Sequence, residues 1–466
     1  MKKIAIVYGE LKNDIQKKAL ELISSVILEQ TIAYPVCAKY SDFNDAESFR
    51  CIYIGTKKNN PYIAKESKKT LTKEEEYYIS VTEDRVIIEG YDDAGVLYGC
   101  VDFYNKYIIK FENRNLHGAY FLDIFAQDKL PEYECISSPS VKNRGIWTWG
   151  HVIYNYKGFI DNMLKLKLNT IIIWNDFVPV NADEMIAYAH SCNIKVIWGF
   201  SWLWDVNCAL VDMNTLYDSI DGILEKFEKQ YSHLNVDGIY FQSFTELATD
   251  KIGDVLVADA VTKFVNEAAA RFFDKFGEME LQFGIHATSV KEKLDYIKNV
   301  DPRVRLYWED CGSFPFAYIP KDIENYDETK DFVIKTTHLR EKEKYGAVTK
   351  GIVCLDWGEF EHLAGSFYIG KCSKKVTHNR VERKNRIWRY MQSYWLANAD
   401  KALDMVKTMC DETGGDLYIT ALVEDGMFEE NVMYPVAIYS EMLWDANADI
   451  KEMVSQVALR SYVEFA

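Results

Sequence analysis

With 466 residues, 48% hydrophobic and 27% charged, the chain has the composition of a folded globular protein of about two or three domains. A net charge of −17 argues against nucleic acid and anionic membrane surfaces as partners, and no apolar run is long enough to cross a bilayer. The ten cysteines are scattered without a C-x-x-C pair, which speaks against zinc and disulfide frameworks. With no signal-like segment in MKKIAIVYGE, they point to free thiols in a reducing, cytoplasmic setting.

Residues 3–8 read as a strand, 12–29 as an amphipathic helix and 51–55 as a second strand. Tyr77–Val81 and Arg85–Gly90 form a hairpin around Thr82-Glu83-Asp84, and a helix follows from the acidic pair Asp92-Asp93. Residues 1–115 therefore predict a small α/β domain. Residues 116–142, with Pro131 and Pro139, predict an irregular linker.

All eleven tryptophans lie between Trp147 and Trp444, and from residue 143 the pattern becomes a regular alternation. Strands are expected at 144–150, 170–176, 195–204, 238–244, 280–289, 304–310, 351–360 and 417–423, with helical stretches between them. Such strand–helix repetition predicts an α/β fold, a (β/α)8 barrel over 143–466. A doubly wound open sheet fits less well, because no glycine-rich phosphate loop follows any strand.

In a parallel barrel, ionisable groups past the carboxyl ends of the strands sit where ligands bind. VDGIYFQSFTEL (236–247) is a buried-strand pattern that ends in Glu246, and period two places Tyr240, Gln242, Phe244 and Glu246 on one face. The other strand ends supply Trp147 and Trp149, Trp174 and Asn175, Trp204, His286, then Trp308, Glu309 and Asp310. Asp356 and Trp357, and finally Trp444, complete the set. Flat indoles stack on the C–H faces of sugar rings while carboxylates and amides bind hydroxyls, so this wall suits a carbohydrate substrate. Glycosidic cleavage needs a protonated acid and a second carboxylate, and indole walls favour the protonated form by desolvation. Glu246 is the candidate acid, and Glu309, Asp310 and Asp356 are the candidates for the second group. Alternation puts Glu309 and Asp310 on opposite faces without saying which points inward. No metal-ligand spacing and no nucleophile elbow is present, so neither a metal nor another cofactor is expected. The basic run RVERKNRIWR (380–389) holds Glu382. It reads as a solvated helix face or a contact between copies of the chain in a homo-oligomer.

VIIEGYDDAGVLYGCVDF (86–103) resembles the domain that precedes the barrel in α-glucuronidases and β-N-acetylhexosaminidases. SPSVKNRG (138–145) is similar to the Pro…Arg-Gly stretch leading into their barrels, and YSEMLWDANADIKEM (439–453) to their closing stretch. The resemblance implies a glycosidase of hexosaminide or uronide type. It assigns Glu246 as the acid after the fourth strand and Arg144 as the first-strand arginine that contacts sugar hydroxyls. The hexosaminidases carry Asp-Glu where this chain has Thr245-Glu246. The α-glucuronidases use inverting carboxylates after the sixth and seventh strands, which Asp310 and Asp356 could supply. A non-catalytic carbohydrate-binding barrel, and a lyase or isomerase acting on a sugar acid, are the alternative readings.

Overall fold

The computed structural model describes residues 3–30, 34–111, 113–114, 121–122, 124–148, 153–175, 177–204, 215–247, 249–286, 291–309, 325–341, 344–352, 365–368, 370, 374–423 and 428–466. The chain forms two compact units, one of residues 1–139, 190–193 and 451–461, the other of 140–189, 194–450 and 462–466.

The first unit is built on a six-stranded mixed sheet of β1 (Lys3–Tyr8), β2 (Val36–Lys39), β3 (Phe49–Gly55), β4 (Tyr77–Thr82), β5 (Arg85–Gly90) and β6 (Tyr133–Ser137). Their order is β2-β1-β3-β5-β4-β6, parallel except for the pairs β4–β5 and β4–β6. Strand β6 falls within the stretch expected as an irregular linker. Its alternating half-buried and exposed residues (YECIS) are those of an edge strand, too short and polar to stand out in the sequence. The helix Asp93–Asp102 starts where the Asp92 carboxylate accepts from Gly95 N at 2.8 Å, an N-cap that satisfies an otherwise orphaned amide. Gly95 is needed there, since a Cβ would stand 2.3 Å from Glu76 O.

Among the described cysteines Cys37 is exposed, whereas Cys51, Cys100 and Cys192 are buried, and burial pushes the Cys100 thiol up. Because the thiolate is the nucleophile, alkylation mapped by mass spectrometry is expected to reach Cys37 well before those three.

The second unit is a closed barrel of eight parallel strands: β7 (Asn143–Trp147), β8 (Thr170–Trp174), β9 (Lys195–Ser201), β10 (Gly238–Gln242), β11 (Glu280–His286), β12 (Val304–Glu309), β13 (Tyr345–Ile352) and β14 (Tyr418–Val423). β14 pairs with β7 to close the ring. Runs such as TIIIW supply β-branched residues for both faces of a buried parallel strand. The outer layer follows the same logic. In the helix Val257–Phe276, Val261, Phe264, Val265, Ala268 and Phe272 recur at helical spacing and are all buried; Gly277 at φ +80° ends the helix.

The seventh strand runs over Tyr345–Ile352, earlier than the expected 351–360. YGAVTKGI mixes small and polar residues, so the more apolar run that follows it looked the better strand. Asp356 and Trp357 lie outside the described residues, as do Trp149 and Asp310. Among the described residues no helix is long and apolar enough to cross a membrane.

Candidate active site

The barrel interior is packed by Trp147, Ile172, Ile197, Tyr240, Tyr307, Val348, Tyr418 and Leu422, with Trp174 and Trp204 against them. These residues fix the phase of each strand. On β10, Tyr240 and Gln242 face inward while Phe241 faces out, stacked on Trp202 at 3.8 Å and on Phe283 at 5.2 Å. On β12, inward-facing Tyr307 puts Glu309 inward too, and Trp308 points out against Phe332 of the helix Tyr326–Thr337, with ring centroids 4.6 Å apart. Glu309 thus faces the barrel interior and is 0% exposed.

Glu246 lies at the carboxyl end of the barrel on the segment after β10. Its carboxyl accepts from Trp204 Nε1 at 2.6 Å through Oε2, and His286 Nε2 stands 3.4 Å from Oε1. Its side chain is 41% exposed and that of His286 15% exposed, so the acid is open to a ligand while its neighbours are half-buried. His286 in turn is the register partner of Glu309. Trp204 packs edge-on to Trp174 at 6.4 Å, Trp174 to Tyr240 at 6.3 Å, and Trp147 to Tyr240 at 5.9 Å. Three of the expected indoles therefore share one cup with Glu246, Gln242, His286 and Glu309.

The local backbone explains how Trp204 reaches the acid. The chain turns sharply after β9: Leu203 takes a left-handed φ of +68°, Trp204 N donates to Ser201 Oγ at 2.9 Å, and Trp202 N donates to Gln242 O at 2.9 Å. A non-glycine residue in that region is strained, and such strain concentrates at functional sites. After Gln242 the strand pattern also stops. Thr245 N donates to Ser243 O at 2.7 Å and Phe244 turns out to pack on Phe264, so Phe244 does not share the face of Tyr240 as period two predicts.

Four other expected contacts lie elsewhere. The Asn175 amide donates to Tyr156 Oη at 3.1 Å and is buried behind the wall. Trp308 belongs to the helix-facing layer. Arg144 sits at the start of β7, the opposite end of the barrel from Glu246, with its guanidinium spent on the carbonyls of Val141, Lys142 and Lys167 at 2.8 to 3.1 Å. Trp444 lies there as well, its ring 5.1 Å from the Arg144 guanidinium. Both brace the foot of the barrel and are not at the sugar end, because the arginine at the second position of a five-residue strand is too far from the strand's carboxyl end.

Two features escaped the sequence. Tyr240 Oη donates to Glu309 Oε1 at 2.5 Å and Gln242 Nε2 donates to the same oxygen, and Gly284 leaves room for that meeting. A lone glycine inside ELQFGIH was the available signal, since mid-strand glycine marks a close approach. Among the described residues no group of three or more His, Cys, Asp or Glu side chains could hold a metal ion.

These features define a (β/α)8-barrel protein with an acidic, indole-walled cup at the carboxyl ends of its strands. No protein-family model matches the chain, and no curated protein matches its sequence. Several solved structures share its fold. A GH138 enzyme targeting pectin rhamnogalacturonan II aligns over 97% of this chain and 65% of its own, with 14% identity and a TM-score of 0.56. The chitobiase of Flavobacterium johnsoniae aligns over 98% and 68%, with 11% identity and a TM-score of 0.56. The exo-β-N-acetylglucosaminidase of Vibrio harveyi, in complex with N-acetylglucosamine, aligns over 98% and 72%, with 12% identity and a TM-score of 0.53. The chain thus spans just under two thirds of the length of the GH138 enzyme. These neighbours are glycoside hydrolases, and at such identities the likeness is one of fold.

Proposed function

We propose that the protein hydrolyses a glycosidic bond, releasing a terminal sugar of hexosaminide or uronide type from a small glycoside or oligosaccharide. The observation that carries this reading is the pairing of an open carboxyl, Glu246, with a buried one, Glu309, across His286 in a cup walled by indoles. Glu246 acts as the general acid. Because Trp204 Nε1 donates to Oε2, that oxygen is committed as an acceptor, and the proton for the leaving group resides on Oε1. Glu309 is the second carboxylate, serving as nucleophile or as base toward water. Trp174 and Trp204 supply faces for the sugar ring, Trp147 is buried against Tyr240 in support of that wall, and Gln242 and His286 supply polar contacts. The Vibrio harveyi exo-β-N-acetylglucosaminidase supports the hexosaminide option at the level of fold.

A panel of aryl glycosides, with and without a uronate, tests it: release of phenol with solvent oxygen incorporated into the sugar is expected for at least one sugar. Binding without turnover across the panel favours the carbohydrate-binding alternative, and product free of solvent oxygen favours a lyase or isomerase. Trp204→Phe keeps a ring in place and removes the N–H. Loss of one hydrogen bond to a carboxyl, about 1.5 kcal/mol, predicts about a tenfold fall in kcat on the best substrate.

A further inference from the structure

Strands β10 and β12 are not neighbours; β11 lies between them. Even so, Tyr240 Oη and Gln242 Nε2 of β10 both reach Glu309 Oε1 of β12, and all three side chains are buried. They meet over Gly284. A Cβ at that position would stand 2.0 Å from Tyr240 Oη and 2.5 Å from Glu309 Oε1, so any other residue would push the pair apart. Glycine weakens a strand interior, which makes a slot of this kind informative.

We propose that Tyr240, with Gln242, is a positioning residue that fixes Glu309 as the ionised second carboxylate, and that residue 284 is glycine so that they can meet. The inference rests on the glycosidase reading above. Two donors on one oxygen favour the charged form of a carboxyl group. Tyr240 itself stays a donor, because burial first and the adjacent Glu309 charge second push its hydroxyl well above the usual tyrosine range. Among the described residues, the other titratable groups on the strands around this point are Tyr307 and, further down, Arg305 on β12 with its ion-pair partner Glu280 of β11, and His286 on β11 with Glu246 beyond it. Inward-facing Gly346 and Val348 of β13 carry no charge. Tyr307 is kept neutral by burial, and His286 and Glu246 are common to wild type and variant.

Tyr240→Phe removes a donor and destabilises the ionised form, so the Glu309 pKa rises. Activity that needs ionised Glu309 is lost as pH falls through that pKa, and the acid limb of kcat/KM therefore moves to higher pH. A shift of about one pH unit is expected, with kcat down about tenfold and KM nearly unchanged. Gly284→Ala should move the limb the same way. Gln242→Met is the second variant if Tyr240→Phe does not fold. A readout independent of turnover is the infrared carboxyl band that disappears in Glu309→Gln: its titration midpoint should rise in Tyr240→Phe. An unmoved midpoint and limb, with kcat lowered equally at every pH or not at all, overturns the proposal. Hydrolysis that survives Glu246→Gln removes only Glu246 as the acid; the absence of hydrolysis across the glycoside panel sinks the glycosidase reading instead, and the infrared midpoint still decides whether Tyr240 holds Glu309 ionised.

Discussion

Glu246→Gln is expected to lower kcat on an aryl glycoside by about 10²–10⁴-fold while substrate affinity changes little. The substitution keeps the size of the side chain and an acceptor for Trp204 Nε1, whose present bond to Oε2 is 2.6 Å long. It removes only the transferable proton. With the side chain 41% exposed, the fold should be unaffected. The size of the loss should follow the leaving group. A phenol of low pKa departs without protonation and masks the defect, whereas a sugar or unactivated alcohol needs the acid and exposes it. Steady-state rates across a series of leaving groups measure this directly. A flat series, with Glu246→Gln as active as the parent on the poorest leaving group, would remove Glu246 from the role of acid.

The sequence shows the barrel because buried parallel strands are apolar runs at regular intervals, as TIIIW of β8 and VRLYWE of β12 illustrate. Where the run and the strand diverge, the reading slips. YGAVTKGI of β13 is held by its neighbours β12 and β14 and needs little intrinsic preference, so the adjacent GIVCLDWGEF drew the prediction. The site is legible as a set of residue types at strand ends, and Glu246, Trp174, Trp204 and His286 do gather. The facing of each side chain is not legible, because period two gives two phases and only packing selects one. Tyr307 in the interior selects Glu309, and Phe332 on the helix layer takes Trp308. The turn at Gln242 has no marker at all: SFTEL continues the apolar alternation while the backbone has already left the sheet.

Arg144→Met tests the placement of that arginine, and here the expected effect is on stability. The guanidinium is fully buried and donates to the backbone carbonyls of Val141, Lys142 and Lys167. Methionine fills much of the volume but donates nothing, so Val141 O and Lys167 O lose these donors, while Lys142 O keeps the Asn169 amide at 2.8 Å. Each buried carbonyl left unsatisfied costs about 1–3 kcal/mol, and because neighbouring losses overlap the total expected is about 3–5 kcal/mol. The stacking of the guanidinium on Trp444 goes as well. Lys167 makes the foot of the barrel more sensitive still. It is buried in a left-handed conformation at φ +56°, with its ammonium 4.3 Å from the Trp444 ring centre and 3.3 Å from Glu441. Movement of Trp444 into the space left by Arg144 would weaken both contacts of that buried charge. Chemical denaturation should therefore show a lower midpoint for Arg144→Met, while kcat and KM measured well below the transition stay at parental values. An arginine that binds sugar hydroxyls gives the reverse pattern: a raised KM in a protein of unchanged stability.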